Sequence, residues 1–277
     1  MFHCGRIVYT NDLPVYAAFD EGVLEFPGTL HADVPSQLNT MLVDGRLALS
    51  PISAFAYAKH ADDLVLLPSL CIGAKREVLS VLLVSQVPPA LLDGTTIAVT
   101  GESASGTNLL KILLQRRYGV HARFVVEDDP LSGALRGELP ALLIGERAID
   151  ARFQVPAKHL YDLGALWHEW TGEPSVLAVW AARRDAFERE RESVERCMEA
   201  LRKAFAWGCA HRRHVFRLAQ RIRPRPAGFY EDYYEKLNFI LDNDARRGLQ
   251  RYFTELRAVG VIEKIPALEP EVSGVSG

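Results

Sequence analysis

Familiar catalytic signatures are missing from this chain of 277 residues. It has no GxSxG nucleophile turn, no HExxH metal pair, no GxGxxG dinucleotide loop and no P-loop lysine. These absences remove the commonest hydrolase, metalloprotease, dehydrogenase and nucleotide-hydrolysing readings. Cysteine is scarce: positions 4, 71, 197 and 209 form no CxxC pair. That argues against a disulfide framework or a zinc site and fits reduced thiols in a cytoplasmic protein. No apolar run approaches the roughly 20 residues that span a bilayer. The start, MFHCGRIVYTND, has no basic segment leading into an apolar core, so neither a membrane partner nor an export signal is expected. Lys and Arg number 32 against 35 Asp and Glu, a formal charge of -3. The basic excess of a nucleic-acid binder is absent. One run, His211 to Arg225, is locally basic, but Val215, Phe216, Leu218 and Ile222 recur in it at helical intervals. It reads as an amphipathic helix with a solvated face.

What is present is an alternation of strand and helix signals. GRIVYT, RLALS, REVLSVLLVS, TTIAV, ARFVVE, PALLIG and SVLAVWAA read as strands. VPSQLNTMLVDG and ISAFAYAKH read as helices, the first opened by Pro35 and closed by Gly45. Such alternation predicts an α/β fold with mainly parallel sheets. After Arg183 the pattern predicts helices only. Phe187, Val194, Met198, Leu201 and Phe205 mark one long amphipathic helix, followed by helices over FYEDYYEKLNFIL and DARRGLQRYFTELRAVG. Two long strands, 78–85 and 175–182, bracket a segment with its own strands and helices. The predicted plan is two-lobed: residues 1–85 with 178–277 form one lobe, residues 86–177 an inserted second lobe, and a ligand cleft lies between them.

Four strand-to-helix turns carry small or polar residues: Tyr9 to Asp12, Ser50 to Ser53, Ser103 to Thr107, and Gly145-Glu146. Turns at the carboxyl ends of strands in open α/β sheets are where ligands bind. Each also presents backbone N–H groups at the positive end of a helix dipole, worth roughly 0.3–1 kcal/mol to an exposed anion. Ser, Thr and Asn cap helices routinely, so any single turn has an ordinary explanation. Four together, in a two-lobed chain, point to an anion site. Asn11, Ser53, Ser103, Ser105, Thr107, Gly145 and Glu146 are its candidate residues. None of the eight histidines falls in these turns, and their only acids are Asp12, Glu102 and Glu146.

Taken in order, IVYTNDLPVY, PSQLNTMLVDGRLALSPISAFAYA, SASGTNLL, ALLIGERAI, YDLGALWHEWTGEPSVLAVW and YYEKLNFILDNDARRGLQRYF resemble the chorismate dehydratases of the futalosine route to menaquinone. The resemblance runs from about residue 5 to residue 263. Its most specific pieces are Tyr-x-Asn-x-x-Pro at the start and the Asp-Leu-Gly…Trp…Thr-Gly-x-Pro…Trp block at 162 to 180. The Cys-Pro-Asn-Asp start of the sister enzyme, the dihydroxynaphthoate synthase, is not found. Departures from the family pattern are Ala48 for Asp, Ala54 for Ser, Ser105-Gly106 for Thr-Ser, Glu146 for Asp, and Glu173 and Ser175 for apolar residues.

The resemblance implies a two-lobed, type II periplasmic-binding-protein-like fold and a carbon–oxygen lyase. The implied reaction converts chorismate, a small dicarboxylate, to 3-[(1-carboxyvinyl)oxy]benzoate and water, with no cofactor. Asn11 is then the expected catalytic residue, and the other six candidates hold substrate. With no His or Lys in the turns, the proton acceptor is either the enolpyruvyl carboxylate of the substrate or Glu146. A non-catalytic anion-binding protein of the same fold is the alternative, and homo-oligomerisation is left open.

Overall fold

The computed structural model describes residues 2–102 and 104–268. In chain order the strands are β1 (His3–Ile7), β2 (Thr29–Asp33), β3 (Leu49–Ser53), β4 (Leu64–Ala74), β5 (Val81–Val84), β6 (Thr96–Val99), β7 (Arg123–Val126), β8 (Ala141–Ile144), β9 (Leu160–Asp162), β10 (Ser175–Arg183) and β11 (Leu237–Ile240). They form two sheets, of order β11-β4-β10-β3-β1-β2 and β7-β6-β8-β5-β9. Both sheets are mixed rather than mainly parallel. β1 pairs in parallel with β2 and β3, whereas β10 runs antiparallel to β3 and β4. In the second sheet β6 is parallel to β7 and β8, and β5 is antiparallel to β8 and β9. The central strands of the first sheet are buried on both faces, with Ile52, Val179 and Trp180 at 1% exposure or less.

Two features of this sheet were not read from the sequence. The longest strand, β4, carries the exposed Pro68 and the part-buried Ser69 in mid-run. A proline normally breaks a central strand, but here the pairing with β10 slips at this point, from Cys71↔Val179 to Leu66↔Ala181. The irregularity takes Pro68 out of the ladder, where its missing N–H costs no hydrogen bond. The C-terminal region is not purely helical either. The helix over Phe229–Lys236 stops, and Leu237–Ile240 becomes β11, pairing with the free edge of β4. Leu237 and Phe239 are buried while Asn238 and Ile240 are not, the two-residue period of a strand. The long helix expected after Arg183 is two, Arg184–Arg189 and Arg191–Ala210, divided at Glu190.

The chain passes from the first sheet to the second between residues 74 and 81 and returns between 162 and 175. All strands of the second sheet therefore lie within 81–162, so Val81–Val84, expected in the first lobe, pairs in the second sheet. Asp162 ties the two passages together. Its Oδ1 accepts from the amides of Val78 and Ala165 and its Oδ2 from that of Leu79, at 3.1, 3.1 and 2.8 Å. Gly164 has no Cβ because one there would lie 2.5 Å from the carbonyl oxygen of Arg76. The Asp-Leu-Gly piece of the sequence thus builds the crossover.

Candidate active site

A cavity between the two sheets encloses about 600 Å³ of open space, part of it continuous with solvent. Strand β1 ends at Ile7 and the chain turns through a 3-10 turn, Thr10–Asp12, bringing Tyr9 and Asn11 to one wall. Ser53, at the end of β3, lines the same wall. The second sheet contributes Glu102 and Ser105 from the turn after β6, and Gly145 from the turn after β8. All four expected turns reach the same region, and three of them from different strand ends converge with polar atoms. No Lys, Arg or His lines the cavity, and Glu102 is its only carboxylate among the described residues. The described residues hold no cluster of His, Cys, Asp and Glu suited to a metal ion.

Asn11 is the open polar group. Its Oδ1 is buried and has no hydrogen-bond partner among the described residues. An acceptor left in that state typically costs about 1–3 kcal/mol unless something fills it. Ser53 performs the ordinary job and lines the site as well. It caps the helix Ala54–Lys59, its Oγ accepting from the amide of Ala56 at 3.0 Å and from Asn39 Nδ2 at 3.3 Å. Asn39 Oδ1 in turn accepts from the Ser53 amide at 3.0 Å. Ser105, 5% exposed, joins the two sheets' elements: its Oγ accepts from the Phe55 amide at 3.1 Å, and its carbonyl accepts from Tyr252 Oη at 3.2 Å. Neither hydroxyl has an acceptor for its proton among the described residues. Gly106, beside Ser105, exposes helix backbone to the cavity.

Gly145 lines the cavity for a different reason from the one expected. Its amide donates to the Ser80 carbonyl at 2.8 Å, so that N–H is not offered to an anion. It adopts φ 57°, and a Cβ there would lie 2.9 Å from the ring of Tyr9. Glycine makes room for Tyr9, which reaches across to donate to Glu102 Oε2 at 2.5 Å. Burial, and then the Glu102 carboxylate, push the Tyr9 phenol well above the usual tyrosine range, so it remains a proton donor.

Two expectations fail on geometry. Thr107 is part-buried but outside the lining. Glu146 is also outside it, at 9% exposure. Its Oε1 accepts from the Thr10 amide and hydroxyl at 3.1 and 2.6 Å, and its Oε2 pairs with Arg225 at 2.8 Å. A carboxylate with both oxygens so committed, and no face on the cavity, is not placed to take a substrate proton. Ser103 lies outside the described residues. Of the residues not singled out from sequence, Glu102 was legible as one of three acids in the turns. Tyr9 was ambiguous because strand alternation did not fix its direction, and Asn39 and Arg225 gave no local signal.

The chain matches the model of the menaquinone biosynthesis family over residues 2–258. It belongs to that family. A chorismate dehydratase of Thermus thermophilus is 33% identical over 239 residues, 80% of this chain and 84% of the relative. A 1,4-dihydroxy-6-naphtoate synthase of the same organism is 30% identical over 270 residues, 92% of this chain and 94% of the relative. Among solved structures, the periplasmic aliphatic sulphonate binding protein of Escherichia coli superposes with a TM-score of 0.67 at 14% identity, over 96% of this chain and 90% of that one. The fold is therefore the periplasmic-binding-protein fold, as the sequence implied. In this menaquinone biosynthesis protein no helix of the described residues is long and apolar enough to cross a membrane.

Proposed function

We propose that this protein is a chorismate dehydratase of the futalosine route, working in the cytoplasm, and that the cavity between its sheets is the active site. The observation that carries the reading is Asn11, whose buried Oδ1 has no partner among the described residues, on the lining of a cavity that Ser53 and Ser105 also line. The 33% identity to a chorismate dehydratase and the Tyr9-Thr10-Asn11-Asp12 start, in place of Cys-Pro-Asn-Asp, favour this reaction over that of the naphthoate synthase.

In the reaction the ether-bearing ring carbon of chorismate loses its proton and the neighbouring carbon loses hydroxide. The two combine as water, and the ring becomes aromatic. Helix starts and hydroxyls hold the two carboxylates without any cationic side chain. Asn11 donates from its amide nitrogen to the departing hydroxyl, where negative charge gathers as the carbon–oxygen bond breaks, and orients it. A preorganised polar group of this kind is typically worth about 10²–10³ in rate. Glu102 is held by Tyr9, so the enolpyruvyl carboxylate of the substrate takes the ring proton and passes it to the departing hydroxyl, which leaves as water.

Incubating the purified protein with chorismate and following the mixture by mass spectrometry tests the reading. Loss of one water, with an aromatic product, supports it. Chorismate recovered unchanged but bound would instead make the protein a binder of the same fold.

A further inference from the structure

The buried charges behind the cavity wall have no part in the chemistry above. Arg225 lies in the connection after the helix Arg212–Ile222, and its side chain is only 8% exposed although it ends the basic run. It donates to Glu146 Oε2 at 2.8 Å and to Asp150 Oδ1, both on the helix Gly145–Gln154 that follows the second sheet's β8. Glu146 passes the contact on to the first sheet's turn by accepting from the amide and the hydroxyl of Thr10. The Thr10 carbonyl accepts from Tyr234 Oη at 2.7 Å. Every polar atom of the residue before Asn11 is thus held.

A buried ion pair contributes little net stability compared with apolar packing of the same volume, and it costs much when one partner is lost. Its attested use is to fix one arrangement over others. Here the arrangement fixed is that of Thr10, whose neighbour carries the open amide of the cavity. We infer that Arg225 is a positioning residue: through Glu146 and Thr10 it sets the orientation of the Asn11 amide, and it does so only when the second sheet's helix meets the first sheet's turn. The assembly of Asn11 into its reacting geometry is thereby tied to the contact between the two sheets' elements. This inference rests on the proposed function for its kinetic arm.

The test uses Arg225→Met, Asn11→Ala and the double variant, with Thr10→Val, which deletes one of the two bonds to Glu146, as a second probe should Arg225→Met fail to fold. The side-chain amide signal of Asn11, identified by its loss in Asn11→Ala, is followed by ¹⁵N NMR, and kcat and KM are measured with chorismate. Arg225→Met should shift or broaden the Asn11 signal and lower kcat by at least about tenfold with KM nearly unchanged. The double variant should be no slower than Asn11→Ala alone, because both changes act on one group. An unmoved Asn11 signal in folded Arg225→Met or Thr10→Val overturns the inference, as does a rate loss that multiplies with that of Asn11→Ala. The NMR arm needs no turnover, so wild-type protein that leaves chorismate intact defeats the proposed reaction without deciding this inference in its favour or against it, and the amide signal then decides it.

Discussion

Replacing Glu102 with Gln separates two roles for the one carboxylate that lines the cavity. Gln keeps an acceptor for the Tyr9 hydroxyl, which now donates to Glu102 Oε2 at 2.5 Å, and removes the charge. Chorismate, the proposed substrate, is a dianion, so the wild-type carboxylate repels it. At a separation of about 8 Å from its nearer carboxylate and an effective dielectric of about 20 to 40, that pair repels by about 1–2 kcal/mol. Glu102→Gln should therefore bind the aromatic dicarboxylate product about 5- to 30-fold more tightly, by isothermal titration calorimetry at low salt. Added salt should shrink the gain. Turnover should stay within about tenfold of wild type, because the substrate's own carboxylate takes the proton. A loss of 10²–10⁴, the typical worth of a general base, with product affinity intact would refute this reasoning and make Glu102 the base.

Two further outcomes follow from the same geometry. Ser105→Ala removes the acceptor of the Phe55 amide as well as a hydroxyl facing the cavity; product affinity should fall about tenfold and melting should drop by a few degrees, with unchanged affinity showing that the hydroxyl serves only the protein. Asp12 is fully buried, with no hydrogen-bond partner on either oxygen among the described residues, and burial holds its carboxyl well above the ordinary range against the weaker pull of Arg6. The folded protein thus binds this proton more tightly than the unfolded chain, and stability from this group is lost as pH rises through the folded value. The melting temperature of Asp12→Asn relative to wild type should therefore rise from about pH 4 to about pH 8; a difference independent of pH would contradict a neutral Asp12.

Much of the fold was legible because strand and helix periods are local properties. TTIAV, ARFVVE and PALLIG appear as strands close to where they were read. What was missed shares a cause. Residues 64–74 were not read as a strand, and Pro68 sits in one only because the partner strand slips its register beside it. LNFI reads as helix until the free edge of β4 supplies its ladder. The site was legible in the same measure. Small polar residues after strands pointed to Asn11, Ser53 and Ser105, which line one cavity because such turns collect at one end of a sheet. Glu146 lies outside the cavity lining because it pairs with Arg225, 79 residues away, which nothing near it in sequence announces. Arg225 itself was grouped with the exposed arginines of the preceding helix, from which only the tertiary contact separates it.

In the proposed reaction Asn11 performs chemistry in this cavity rather than capping a turn. The direct measurement compares wild type with Asn11→Ala for chorismate turnover and product affinity on the same folded preparations. Asn11→Ala should turn over chorismate at least about a hundredfold more slowly, with product affinity reduced by no more than about tenfold. Near-normal turnover by a folded Asn11→Ala protein would contradict it.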